Sequence, residues 1–163
     1  MIFVTVGTDA APFDRLLRTV DSLPREERLV VQHGSSAVQP RDATCFPFLS
    51  FEELSEYIRQ ARVVVTHAGV GSIMVARENG KRPLVLPRLG RYGEAVDDHQ
   101  LPLARRLDRE GLVTLVEEAA RLAEAIRVAD DAKTVSLNGG SELVLDLRDY
   151  LTRAITGDDR ART

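Results

Sequence analysis

Between Thr66 and a stretch of helical period lies His67-Ala68-Gly69-Val70-Gly71-Ser72. Glycines here let a backbone approach a ligand closely. A helix opening directly afterwards offers its first free N–H groups, and the positive end of its dipole, to an anion, phosphate above all. A plain strand-to-helix turn needs the same glycines, so the turn alone leaves both readings open. A second cluster, Arg88-Leu89-Gly90-Arg91-Tyr92-Gly93-Glu94-Ala95-Val96-Asp97-Asp98-His99-Gln100, packs cations, carboxylates, an imidazole and an amide into one loop and helix start. That mixture suits recognition of sugar hydroxyls, since a site built of such groups rejects a ligand lacking the matching hydroxyl. Asp97 and Asp98 read equally well as helix N-caps. His33 and His67 each end a strand; His33 reads as a hydrogen-bonded structural histidine, and His67, beside the glycine turn, as a ligand contact.

Several chemistries are disfavoured. Only Gly7 follows the first strand, Met74 stands where a third glycine after Gly69 and Gly71 would fall, and no G-x-x-x-x-G-K-[ST] occurs. Nicotinamide hydride transfer and P-loop phosphoryl transfer therefore fit poorly. The G-x-S-x-G elbow of an esterase is missing. Cys45, the single cysteine, sits beside Phe46 in a predicted strand and reads as core. With no Cys/His pair at zinc spacing, no metal and no cofactor are expected.

Two segments after other strands complete the set of polar strand exits: Gly7-Thr8-Asp9 and Gly34-Ser35-Ser36. In an open parallel sheet all four would share one rim, where such folds bind ligands. The elements that must place them alternate β-branched runs with helical periods, the pattern of an α/β sheet with crossover helices. Strands are predicted over 2–6, 28–33, 44–48, 61–66, 83–87 and 112–116. Helices are predicted over 12–23, from a Ser50 cap with a Glu53 capping box to about Gln60, from the glycine turn to about Asn79, and over 99–110, 117–128 and 141–155.

The length of 163 residues suits one domain, assigned to 1–156 with a charged tail over 157–163. With 22 Lys+Arg against 25 Asp+Glu the formal charge is −3, which gives no basic footprint for nucleic acid. Ile2-Phe3-Val4-Thr5-Val6 is too short for a signal segment, and no apolar run approaches the ~20 residues that cross a bilayer. A cytoplasmic location is expected.

Taken in order, Ile2-Phe3-Val4-Thr5-Val6-Gly7-Thr8, Pro12-Phe13-Asp14-Arg15-Leu16, Thr66 to Ser72, Gly80-Lys81-Arg82-Pro83, Pro87-Arg88 and Gly93-Glu94 with Asp98-His99-Gln100 resemble the family-28 glycosyltransferase C-terminal domain. The likeness runs to about Val116 and points to the small stand-alone members, donor-binding subunits of lipid-linked and exopolysaccharide glycosyltransferases. It implies a Rossmann-like open, mostly parallel sheet with helices on both faces, one half of a GT-B glycosyltransferase. It also implies a UDP-sugar donor such as UDP-N-acetylglucosamine, and a membrane-associated, acceptor-binding partner subunit that would recruit the chain to the inner face of the membrane. A homodimer is the alternative when that partner is missing.

By this resemblance Gly7, Thr8, Gly69, Val70, Gly71 and Ser72 face the donor diphosphate. His67 and Glu78 line the uridine side, Arg88 belongs to the donor site, and Glu94, Asp98, His99 and Gln100 meet the sugar. Asp9 and Glu94 are candidates for the general base, which the partner would otherwise supply. The chain departs from the family pattern twice: Asp9 stands where bacterial relatives often carry histidine, and Val75 where better-known relatives place a glutamate on the ribose, with Glu78 one turn later as its substitute. A non-catalytic nucleotide-binding module of the same fold is the competing expectation.

Overall fold

Strand β1 (Ile2–Thr5) is apolar on both faces apart from its last residue, and such a strand is stable only with neighbours on either side and layers above and below. In the computed structural model, which describes residues 1–24 and 26–129, it has both. β2 (Leu29–Gln32) and β4 (Val63–Thr66) flank it in parallel, Ile2 facing Leu29 on one side and Val63 on the other. β3 (Ala43–Phe46), β5 (Leu84–Val85) and β6 (Thr114–Leu115) extend the sheet to the order β3-β2-β1-β4-β5-β6. Every pairing is parallel.

Alternation along the strands divides the core. Ile2, Val4, Val31 and Val65 pack with Leu16, Leu17 and Val20 of α1 (Asp14–Asp21) and with Leu122 and Ile126 of α5 (Leu122–Val128). On the other face Phe3, Val30 and Val64 meet Ile58 of α2 (Phe51–Gln60) and Val75 and Ala76 of α3 (Val70–Glu78). Ala104 and Leu107 of α4 (Gln100–Arg109) close the β5 end against Ile73 and Val85. The expected two-faced α/β architecture is therefore observed.

The capping box is present as read: Ser50 Oγ accepts from the Glu53 amide at 3.2 Å, and the Glu53 carboxylate accepts from the Ser50 amide at 2.9 Å. Several boundaries differ from expectation, β5 for instance contracting from 83–87 to Leu84–Val85. α1 begins at Asp14 rather than Pro12, because the Phe13 amide donates to Ser36 Oγ at 2.8 Å and Phe13 is not helical. The helix expected over 117–128 is split, Ala119–Arg121 forming a 3-10 turn before α5. β6 contracts to two residues, although the Val116 amide still donates to Val85 O at 2.8 Å. The helix expected over 141–155 and the tail over 157–163 lie outside the described residues. Among the described residues no helix is long and apolar enough to cross a membrane.

Adjacent strands β1 and β4 send their connections to opposite faces, β1 to α1 and β4 to α3. This opens a crevice between the two loops at the carboxyl edge, the place where open α/β sheets take ligands.

Candidate functional site

The α3 start lies on that edge. Gly69 is its N-cap, no side chain caps the helix, and the first turn carries no acid. Its first backbone bond runs from Ile73 N–H to Gly69 O at 3.2 Å, so the Val70, Gly71 and Ser72 amides have no acceptor within the helix. Gly71 is exposed, with nothing within 4 Å of where a Cβ would stand.

The other glycines have a definite steric cause. A Cβ on Gly69 would fall 1.9 Å from His67 Cε1, and one on Gly7 2.4 Å from His67 Nε2. The imidazole thus occupies a slot that only a pair of glycines leaves open, and Gly7 also adopts φ +78°, a left-handed backbone natural to glycine. His67 Nδ1 is buried without a partner, as are Thr66 Oγ1 and Arg88 Nε. Burial pulls the His67 pKa down to about 4; the Arg88 charge adds to this, against smaller upward contributions from Asp9 and the Gln100 side chain. The ring is therefore neutral at pH 7, a hydrogen-bonding group rather than a cation.

Thr8 and Asp9 are exposed beside it. Asp9 accepts from the Ala11 amide at 2.8 Å, and its carbonyl from Ser35 Oγ at 3.2 Å. Below them Gln32 Nε2 donates to Gly7 O at 3.0 Å, and the Gly7 backbone amide to Thr5 Oγ1 at 3.2 Å. His33 is structural, as expected, with Nδ1 3.2 Å from Ser36 O.

The 88–100 segment is more internally bonded than its sequence suggests. Glu94 is 4% exposed; its two oxygens accept from Arg15 at 2.8 Å each, and one also from the Leu89 amide at 3.1 Å. Asp98 accepts from the Gly90 amide at 2.7 Å, shaping the 3-10 turn Gly90–Tyr92. Gln100 Oε1 accepts from the Arg88 amide at 3.1 Å. His99 is exposed and pairs with the exposed Asp97, whose carboxyl is held below its usual range by hydrogen bonds from His99. Arg88 lies beneath the rim rather than on it, 1% exposed, with its guanidinium on backbone carbonyls.

The structure thus brings Gly7, Thr8, Asp9, His67, Gly69, Val70, Gly71, Ser72 and Gln100 to one crevice, with Glu94 and Arg88 behind it. Glu78 is not brought there. It is the exposed last residue of α3, about 12 Å along the axis from Val70 at the α-helical rise, while Val75 packs into the core. Two features escaped the sequence reading. Arg15 is joined to Glu94 across 79 positions and has no local signature. Phe48 and Phe51, 54% and 62% exposed, flank the same edge after β3; apolar residues in a turn just past a strand were the available signal. Among the described residues no group of three or more His, Cys, Asp or Glu side chains is placed to hold a metal.

A six-stranded parallel sheet whose connections part at the β1/β4 switch point defines a Rossmann-like open α/β fold, and the similar solved structures are GT-B glycosyltransferases. The chain superposes on the crystal structure of the glycotransferase of kitacinnamycin with TM-score 0.60 at 20% identity, covering 91% of this chain and 39% of that one. On MurG of Acinetobacter baumannii the TM-score is 0.53 at 16% identity, over 90% and 49% of the respective chains. The chain belongs to the glycosyltransferase family 28 C-terminal domain family, whose pattern matches residues 1–142. Human UDP-N-acetylglucosamine transferase subunit ALG13 is 37% identical over 123 residues, 68% of this chain and 10% of that protein. The UDP-N-acetylglucosamine--N-acetylmuramyl-(pentapeptide) pyrophosphoryl-undecaprenol N-acetylglucosamine transferase of Rhodospirillum rubrum is 27% identical over 129 residues, 77% of this chain and 32% of that protein. The chain therefore spans a tenth to a third of the length of these curated relatives.

Proposed function

We propose that this chain is the donor-binding half of a split GT-B glycosyltransferase. It takes a UDP-sugar, with UDP-N-acetylglucosamine the first choice from the names of its relatives, and a membrane-associated subunit holds a lipid-linked or polysaccharide acceptor over the crevice. The observation that carries this reading is the uncapped start of α3 beside a neutral histidine at the β1/β4 switch point.

In the reaction an acceptor hydroxyl oxygen attacks the anomeric carbon with inversion. The bond from that carbon to the β-phosphate oxygen breaks, the electron pair leaves with UDP, and the hydroxyl proton goes to a base. Charge grows on the β-phosphate as the bond breaks. The Val70, Gly71 and Ser72 amides are fixed in advance, and a preorganised donor of this kind is worth about 3 kcal/mol in comparable anion sites. A neutral His67, packed in the glycine slot, backs these amides without placing an acidic imidazolium proton next to the phosphate. Glu94, fully engaged by Arg15 and Leu89, is a poor base; Asp9, exposed at the rim, is the base candidate of this chain, the partner subunit supplying one otherwise. The protein would work at the cytoplasmic face of the membrane, brought there by that partner.

Calorimetric titration with UDP-N-acetylglucosamine, UDP-glucose and UDP-glucuronate tests the reading. Binding of one in preference to the others is expected, with little transfer by the chain alone and turnover once the acceptor subunit is added. Binding of none would favour a non-catalytic module, a reading to which the distant Glu78 and the buried Val75 lend some support. Full turnover by the chain alone would refute the division of labour.

A further inference from the structure

Arg88 is a fully buried cation whose guanidinium meets no carboxylate. Nη1 donates to the carbonyls of Ala11 at 2.8 Å, Glu94 at 3.1 Å and Pro12 at 3.3 Å, and Nη2 to that of Val6 at 2.9 Å. Its Cζ lies over the Phe13 ring, 4.7 Å from the centroid. The one buried carboxylate nearby, Glu94, is engaged by Arg15 and the Leu89 amide. Arg15 also donates to Pro87 O at 2.7 Å, so the segment entering Arg88 is tied to α1 as well.

The four carbonyls belong to two loops that share no secondary structure. Val6, Ala11 and Pro12 bracket Gly7-Thr8-Asp9; Glu94 sits in the middle of the 88–98 loop. The Arg88 amide reaches a third element by donating to Gln100 at the start of α4, and Gln100 adjoins His67. A flat fork of five donors can serve several carbonyls in different directions and still stack on a ring, which a lysine ammonium cannot do.

We propose that Arg88 is the positioning residue of this crevice: without touching the ligand, it locks the Gly7–Pro12 loop to the 88–100 segment and holds a positive charge, bonded to no carboxylate, under the rim where an anion would lie. The identity of that anion rests on the functional reading above; the locking does not. Burial of a cation bonded to no carboxylate, with Asp9 and Glu94 attracting it only from a distance, costs stability on its own account, so the arrangement makes sense where the fixed charge and fixed loops serve a ligand.

Amide hydrogen exchange on wild type, Arg88→Lys and the milder Phe13→Leu tests the lock without any ligand. In Arg88→Lys the Ala11, Leu89 and Gly90 amides, each bonded within its own loop, and the Phe13 amide, bonded to Ser36, should exchange at least ~10-fold faster while β1, β2 and β4 keep their protection, and the UDP dissociation constant should rise ~10-fold as the loops lose their preorganised positions. Phe13→Leu, which keeps every hydrogen bond, should shift the same amides in the same direction by less, and it supplies the answer if Arg88→Lys does not fold. Unchanged loop exchange, or acceleration spread equally over the strands, would overturn the proposal. Failure of wild type to bind UDP would count against the functional reading alone, and the exchange pattern would still decide the role of Arg88.

Discussion

Gly69→Ala is the sharpest perturbation of the site. At φ −79° and ψ 126° the Gly69 backbone suits any residue, so the substitution carries no conformational strain and isolates one contact: the new methyl would lie 1.9 Å from His67 Cε1. The imidazole must leave its slot or α3 must shift. Overpacking of this kind costs about 1–3 kcal/mol, and at ~2–4 °C per kcal/mol for a chain of this size the melting temperature should fall by ~2–12 °C. Displacement of the ring should also weaken UDP binding. The control is the double mutant: His67→Ala removes the obstacle, so Gly69→Ala should cost much less in that background, with a coupling of at least ~1 kcal/mol. Denaturant unfolding of the four proteins in the cycle gives the number. Additive effects, or a Gly69→Ala protein as stable as wild type, would refute the slot. Gly7→Ala should be worse than Gly69→Ala, since φ +78° adds a left-handed penalty of ~1 kcal/mol or more to a similar collision.

Three further outcomes are expected. His67 holds a folded-state pKa of about 4 against an ordinary 6.5; the unfolded chain takes the proton first, so stability should be full above pH 6.5 and decline by up to about 3 kcal/mol as pH falls toward 4, a slope that His67→Asn should flatten in urea titrations across that range. Glu27, paired with Arg62 and held at about 2 by that hydrogen bond, contributes stability above pH 4.5 that is lost as pH falls toward 2; with the carboxylate about a third exposed, Glu27→Gln should cost ~1–2 kcal/mol at pH 7 and much less at pH 2.5, as read by unfolding at both. Ser50→Ala breaks the capping box of α2 and should lower stability by about 1 kcal/mol with UDP affinity unchanged; a calorimeter measures both.

The parts of the molecule that were legible in the sequence are those whose cause is local. Ser50 and Glu53 announce the start of α2 because both halves of the cap lie within one turn, and the 63–65 valines announce β4 because burial on both faces needs no particular neighbour. The glycine turn is legible as a place of close approach, by a ligand or by the chain itself; that the chain's own His67 packs between Gly7 and Gly69 is not. Glu78 misled for a related reason. Spacing by three places residues on a common face but ignores the further ~4.5 Å along the axis, and at the end of α3 that distance carries a side chain away from the rim. Arg15 with Glu94, and Arg88 with the Val6 and Ala11 carbonyls, are joined only by the crossing of distant loops, which no window of sequence records.

The position of β1 at the centre of the sheet governs how the chain must assemble. Its first residues meet β2 early, but the other edge of β1 pairs with Val63–Thr66, about 60 residues later. At roughly 5–20 residues per second of synthesis, that apolar edge waits ~3–12 s for its partner. The nascent first half is therefore a ribbon with one sticky side. Mutations that slow arrival or docking of β4 should show themselves as losses of yield during expression before they show as losses of stability in the finished protein.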